Sequence, residues 1–428
     1  MTRRIVILTG NSLCHNPRVL KEATALVEAG FEIEVLGAWL DAALKQRDLE
    51  LLPDLPFRFT PVMDATRDKW AWAKSRLCVK AARLWHQRTG QESHWQLGYT
   101  VGELTRVTRQ RKADLFIAHS EPALWAIVQL GSQRSEVSGQ KSDLRSPISD
   151  FCLGVDMEDW FSEDLLPEAR KQRPIRLLKN LERETLTHVA HRTCTSHAMS
   201  AALAKEYGCP PPTVIYNSFP WADRQTLDGQ FKDRRDRSVP SLHWYSQTLG
   251  AGRGLEELFA ALPLVKFPLE IHLRGGFSAA TEAWLWPLVP ENWRQQVFLH
   301  PLVSNAELLS RIAEHDIGFA GEQKYCPSRD MTVTNKILHY LLGGLAVVAS
   351  DTAGQREVAE QADGAVQIFP AGYAAALAQQ LNFWLENPER LAAAKAAALQ
   401  AAEKTFCWER QEKSLVQNVA NAAGTSLI

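Results

Sequence analysis

Cysteine is sparse, with seven in 428 residues, an odd number with no C-x-x-C pair. That argues against a disulfide framework or structural zinc and for reduced thiols. An excess of one charge is also lacking. Lys and Arg total 48 against 49 Asp and Glu, a formal charge of -1, so no global field marks a nucleic-acid binder. No apolar run approaches the ~18–20 residues that cross a bilayer, and mean hydropathy is -0.23. Residues 1–10 carry two arginines but too short an apolar stretch for a signal peptide, and they read as a first strand. No repeat of solenoid length occurs. The spacing G-x-G-x-x-G is missing after the first strand, which weighs against a nicotinamide or flavin enzyme.

What is present fits a globular protein. Hydrophobic residues make up 45% and charged residues 23% of the chain, enough for a full core and against dominant disorder. At roughly 100–200 residues per domain, the length predicts two or three domains. Short apolar runs alternate with helical patterns. Residues 5–8 form a strand, a helix opens at Asn16-Pro17 and ends at Gly30, and 31–36 form another strand. Strand, helix and strand in this order predict a parallel sheet and an α/β fold. Further strands are expected at 115–118, 151–155, 192–195 and 213–216, and a polar surface loop at 131–150.

Residues 223–238 are dense in charge and read as a connection between domains. The alternation restarts at 241–245 and continues through 269–273, 297–299, 317–320, 346–349 and 365–368. Residues 391–404 are rich in alanine and predict a helix. The expected organisation is an N-terminal domain at 1–222, a C-terminal domain at 239–407, and a helix from about 408–428 returning to the first.

In parallel sheets of this kind, ligands bind beyond the carboxyl ends of the strands. Candidate residues are therefore polar ones that follow strands. Gly10, Asn11 and Ser12 form a loop expected to leave amide groups free for an anion or a hydroxyl. His119 follows the strand 115–118 and is placed to act on a substrate hydroxyl. Asp156, Glu158 and Asp159 either bind a divalent metal or cap the next helix. In the second half, a glycine-rich loop holds Gly252 and Arg253 at the mouth of a helix, where a guanidinium suits a diphosphate. Asn335 and Lys336 begin a helix whose dipole and ammonium together favour phosphate.

These pieces, with Thr195-Ser196-His197, the 214–217 strand end and the segment from Gly344 to Asp351, resemble the retaining GT-B glycosyltransferases of family 4. The resemblance spans nearly the whole chain. It implies an α/β fold of two facing Rossmann-like domains with parallel sheets and a cleft between them. It also implies transfer of a sugar from a nucleotide-diphosphate donor to a glycan or lipid-linked acceptor, in surface polysaccharide or glycoconjugate synthesis. The family's phosphate-binding lysine falls on Arg253, and an arginine expected about five residues earlier falls on Thr248. The family's pair of glutamates falls on Met331 and His339, neither of them acidic. Glu322 or Asp330 is the expected substitute acid, and Arg329 or Lys336 the substitute cation.

The expected site therefore comprises His119 and Glu322 for catalysis. Gly252, Arg253, Arg329, Asn335, Lys336 and His339 bind the donor, and Gly10 and Asn11 the acceptor. No metal or cofactor is expected beyond the donor itself, and no nucleic acid. Residues 67–88 combine Trp70, Trp72 and Trp85 with six Lys or Arg from Lys69 onward, a pattern suited either to a membrane surface or to a helix with its aromatic face in the core. The expected location is cytoplasmic, with peripheral contact to the inner face of the membrane. Because the acidic pair is missing, a non-catalytic scaffold or partner subunit is the alternative. A metal enzyme centred on Asp156 and Glu158 is a further one.

Overall fold

The computed structural model describes residues 2–138, 151–234 and 236–425. The chain divides into two compact units. One holds residues 1–195, 199–215 and 412–428, and the other holds 196–198 and 216–411. Each is built on one wholly parallel sheet.

The first unit's strands are β1 (Arg4–Leu8), β2 (Glu32–Trp39), β3 (Arg58–Asp64), β4 (Leu115–Ala118), β5 (Cys152–Met157), β6 (His191–Cys194) and β7 (Thr213–Val214). They lie in the order β3-β2-β1-β4-β5-β6-β7. Ile5, Val6, Ile7 and Leu8 are fully buried, as are Leu115, Ile117 and Ala118. Continuous apolar runs of this kind are what a sheet covered on both faces requires.

Two differences from expectation have clear causes. No strand is predicted at β3, because Pro61 interrupts it and Arg58 and Asp64 bound it. The sheet places it at an edge, where a missing amide donor is tolerated. Of the loop expected at 131–150, residues 131–138 are helical, the end of a helix over Glu121–Ser138. Its first half buries Ala123, Leu124, Ala126 and Ile127, and adding residues to an existing helix needs no new nucleus. Residues 139–150 lie outside the described residues.

The second unit's strands are β8 (Ser241–Thr248), β9 (Glu270–Gly276), β10 (Val297–His300), β11 (Ile317–Ala320), β12 (Ala346–Ser350) and β13 (Val366–Phe369). Their order is β10-β9-β8-β11-β12-β13. Numbered within the unit, this is 3-2-1-4-5-6, the doubly wound Rossmann order. The first unit has the same order with one strand added. In each sheet the winding reverses between the first and fourth strands.

The faces of the second sheet differ in chemistry. Leu242, Trp244, Ile271, Leu273 and Phe319 enter an apolar core with Phe259, Phe369 and Trp384. Side chains alternate along a strand, so His243, His272 and Arg274 occupy the other face. His243 lies directly opposite His272 in the register. The charged stretch 223–238 packs over this polar face within the same unit. Asp233 pairs with Arg274 and His300, and Arg234 with Asp316. The alanine-rich segment is the helix Pro388–Ala401, followed by a π turn at Ala402–Phe406.

Candidate functional site

The reversal point of the second sheet collects most of the donor-side residues. β8 and β11 are neighbours there. Beyond β8 the chain turns through Gly252 and Gly254, both with positive φ. A Cβ on Gly254 would sit 2.3 Å from the carbonyl oxygen of Gly321, so only glycine lets this loop touch the one after β11. Arg253 is exposed at the tip, and its guanidinium donates to Ser246 Oγ at 2.7 Å. The amide of Gly252 is already used, donating to Glu256 Oε1 at 3.0 Å.

Glu322 follows the loop contact. Its carboxylate accepts from Lys336 Nζ at 2.6 Å, with both side chains mostly buried. Lys336 belongs to the helix Asn335–Gly343 and also stands 6.0 Å from the centre of the buried Trp244 ring. The Glu322 loop is fixed from below. Ser350 Oγ at the end of β12 donates to the Glu322 carbonyl at 2.6 Å, and Gln355 Nε2 supports Ser350 at 2.9 and 2.8 Å. The helix Asn335–Gly343 starts without a side-chain cap from Thr334, so its first amides keep capacity for an anion.

The other expected residues are placed differently. Asp330 Oδ1 accepts from the amide of Ala353 at 3.0 Å, at the start of the helix Ala353–Gln361, which gives Asp330 a capping contact. Of the two acids, only Glu322 is brought to Lys336. Arg329 is half-buried on the short helix Pro327–Met331. Asn335 is exposed, and its Oδ1 accepts from Asn217 Nδ2 at 3.0 Å. His339 is buried, with Nδ1 3.0 Å from the Tyr245 hydroxyl and its ring stacked on Phe219 at 3.9 Å. Thr248 ends β8 and is exposed.

Sequence reasoning missed a rim of further groups. Lys324 pairs with Asp351 at 2.9 Å, and Arg356 with the same carboxylate at 3.3 Å. Gln323 and the amide of Gly372 both donate to Glu257. Their common signal was position just after β11, β12 and β13.

The first unit's reversal point, between β1 and β4, is more deeply buried. Gly10 turns with φ of +66°, and its amide donates to the Leu36 carbonyl at 3.1 Å. The free amide expected at Gly10 is thus spent on the sheet. Asn11 is exposed, although its carbonyl accepts from Ala38 at 3.0 Å. The helix Pro17–Glu28 is capped by Asn16, whose side chain accepts from the amide of Val19 at 3.0 Å.

His119 has a fully buried side chain between two carboxylates. Nε2 is 2.9 Å from Glu22 Oε2, and Nδ1 is 2.9 Å from Glu158 Oε1. Burial alone would lower its pKa, but Glu22, Glu158 and Asp156 together raise it to about 10. The ring is an imidazolium at neutral pH and has no lone pair to accept a proton. Glu158 is the more exposed carboxylate of the pair, and Asn16 Nδ2 also donates to its Oε1 at 2.9 Å.

Asp156 meets neither expectation made for it. Arg18 Nε donates to its Oδ2 at 2.9 Å, and Arg18 also reaches the Ile215 carbonyl at 2.7 Å. Burial raises the Asp156 pKa less than Arg18 and His119 lower it. The following 3-10 turn, Phe161–Glu163, has no side-chain cap. Glu22, His119 and Asp156 do bring ligand atoms within 4.8 Å of one another. Arg18 already pairs with Asp156, and the His119 ring with Glu22, so this donor set does not fit a divalent cation.

No protein-family model and no curated protein sequence matches the chain. Solved structures do. A sucrose-phosphate synthase from Thermosynechococcus elongatus superposes with a TM-score of 0.64 at 15% identity, covering 99% of this chain and 100% of that one. HepE of Anabaena, in complex with UDP and glucose, gives 0.64 at 16% identity, with 98% and 99% covered. The UDP-GlcNAc 2-epimerase of Neisseria meningitidis bound to UDP-GlcNAc gives 0.54 at 14% identity, with 97% and 99% covered. At this identity the likeness concerns architecture: the chain has the α/β GT-B fold, with two Rossmann-like units on parallel sheets of seven and six strands.

Proposed function

We propose that the chain is a glycosyltransferase that takes a nucleotide-diphosphate sugar as donor. The observation that carries this reading is the placement of two basic side chains at the reversal point of the second sheet. Arg253 and Lys336 stand there beside an uncapped helix start. That HepE and the Neisseria enzyme hold UDP or a UDP-sugar on the same fold supports it.

In the transfer, the bond between the anomeric carbon and the diphosphate oxygen breaks. A bond from that carbon to an acceptor oxygen forms, and the acceptor's hydroxyl proton passes to the departing diphosphate. Negative charge grows on the leaving diphosphate. Fixed cations and helix amides stabilise that charge most where it develops, without needing to reorganise. Arg253 and Lys336 have this role, with Asn335 and Arg329 alongside, and no metal is required for it. Glu322 orients Lys336 and supplies the acid that Met331 and His339 do not.

The first unit is assigned the acceptor, a glycan or glycolipid, with Asn11 exposed beside the buried turn at Gly10. His119 acts there as a positioning residue through Glu158, since both of its nitrogens are committed. Retention of anomeric configuration and a place in surface polysaccharide synthesis belong to the same proposal, as do a nucleotide sugar as the sole small-molecule requirement and a cytoplasmic location. Among the described residues, no helix is long and apolar enough to cross a membrane.

The test is calorimetric titration of UDP and UDP-glucose into the full chain. A charged hydrogen bond contributes roughly 1.5–3 kcal/mol, so Arg253→Ala should weaken UDP binding by about 10- to 150-fold. Unchanged affinity would remove Arg253 from the site. The buried, stacked His339 in place of an acid favours one rival, a nucleotide-binding partner subunit. Such a protein would bind UDP-glucose but form no glycoside with any acceptor and release no UDP.

A further inference from the structure

The helix Lys69–Thr89 holds none of the residues assigned to either site. Its inner face is short-chained and buried, through Ser75, Val79 and Ala82, and Trp72 packs edge-on against Tyr99 at 5.0 Å. Its outer face is neither polar nor covered. Trp70 is 91% exposed, Leu77 68%, Trp85 56% and Leu84 43%. At 100° per residue, Trp70, Leu77 and Leu84 fall within roughly 40° of one line, with Ala73 and Ala81 beside it.

Cations flank this stripe. Lys69, Arg76, Lys80 and Arg83 run down one side, Lys74 lies at the other edge, and Arg88 falls on the line itself near the helix end. The helix contains no acid at all, and none of the six cations has a carboxylate partner among the described residues. Arg76, Leu77, Lys80, Arg83 and Leu84 line a groove of about 520 Å3 along the helix.

We propose that this helix is a docking surface for an anionic lipid bilayer, lying in the plane of the headgroups. Charge complementarity selects that occupant. A second copy of the chain would set two cationic rows against each other. An anionic leaflet would neutralise the row of lysines and arginines while its acyl boundary received Trp70, Leu77 and Leu84. Tryptophan suits that depth because its ring is both apolar and polar. Long basic side chains can lay their methylenes on the apolar side and keep their charge at the headgroups. The inference does not rest on the assignment of a donor site.

Sedimentation of the full chain with vesicles tests it, using pure phosphatidylcholine and a phosphatidylcholine–phosphatidylglycerol mixture. The wild type should bind the mixed vesicles at least ~10-fold more tightly than the neutral ones, and less so as salt rises. Lys80→Glu with Arg83→Glu, and separately Trp70→Ser with Leu77→Ser, should each lower that binding at least ~10-fold. All four positions are exposed, so unchanged melting temperatures would show that the fold survives. Wild-type indifference to the mixed vesicles overturns the proposal. So does full competition by inorganic phosphate at constant ionic strength, which would mark a phosphate site instead of a surface. A dimer in ultracentrifugation that the Trp70→Ser, Leu77→Ser variant splits, with no vesicle binding by the wild type, assigns the stripe to self-association and also overturns it.

Discussion

Replacing Lys336 by methionine should lower UDP affinity at least ~10-fold, whereas Glu322→Gln should raise it several-fold while slowing transfer. The opposite signs follow from one contact. Lys336 Nζ sits 2.6 Å from Glu322 Oε1 in a mostly buried pair, so its ammonium is neutralised before any ligand arrives. A diphosphate must share that ammonium with the carboxylate. Glutamine keeps the shape and a hydrogen-bonding oxygen but removes the competing charge, leaving the cation to the phosphates. Transfer should still fall, because Glu322 is the acid proposed in place of Met331 and His339, and glutamine removes that charge and its hold on the orientation of Lys336. Methionine has nearly the length of lysine without charge, and it strands Glu322 as a buried carboxylate. The double variant Lys336→Met with Glu322→Gln relieves that stranding and so separates folding from binding. Calorimetry with UDP and initial rates with UDP-glucose read the two effects. Equal losses of UDP affinity in Lys336→Met and Glu322→Gln would mean that the pair only supports the loop.

The fold was legible because its strands are buried on both faces and so are written as uninterrupted apolar runs. Ile5 to Leu8 and Ala346 to Ala349 show this plainly. β3 was not legible, since an edge strand can carry Pro61 and charged ends without violating any sheet rule. The donor side was half legible. Arg253 and Lys336 announce themselves by glycines and a helix start, but pairing Lys336 with Glu322 rather than Asp330 depends on how the loop after β11 returns. Spacing carries no record of that path. His119 was misleading for a related reason. Its strand-end position suggested an open imidazole, whereas Glu22 from one helix and Glu158 from beyond β5 close over both nitrogens. Those partners are distant in sequence, and only packing brings them together.

Buried histidines of opposite shift give the two units opposite responses to pH: His119 in the first, and His272, His243 and His315 in the second. His119 is held near pKa 10 against about 6.5 when unfolded. A raised folded value means that its stabilisation is complete below 6.5 and is lost as pH climbs through 10. From pH 7 to pH 9 the loss should be about 2–3 kcal/mol. In the second unit, His272 is driven down to about 2 by burial and by His315 and His300. His243 is lowered by burial and His315, and His315 by burial that Asp233 only partly offsets. Depressed folded values reverse the sign. Their stabilisation is complete above 6.5 and is lost as pH falls, by about 2 kcal/mol at pH 5 for His272, whose folded value lies far below that pH. Calorimetric scans, with limited proteolysis to locate the first cleavage, should therefore find the second unit opening first at pH 5 and the first unit opening first at pH 9. His119→Leu leaves the buried Glu22 and the half-buried Glu158 without their cation, so it should destabilise the first unit by about 3–5 kcal/mol at pH 7 and flatten its alkaline response. Adding Glu22→Met should restore part of that loss. An alkaline response that persists in His119→Leu would show that the imidazolium is not its source.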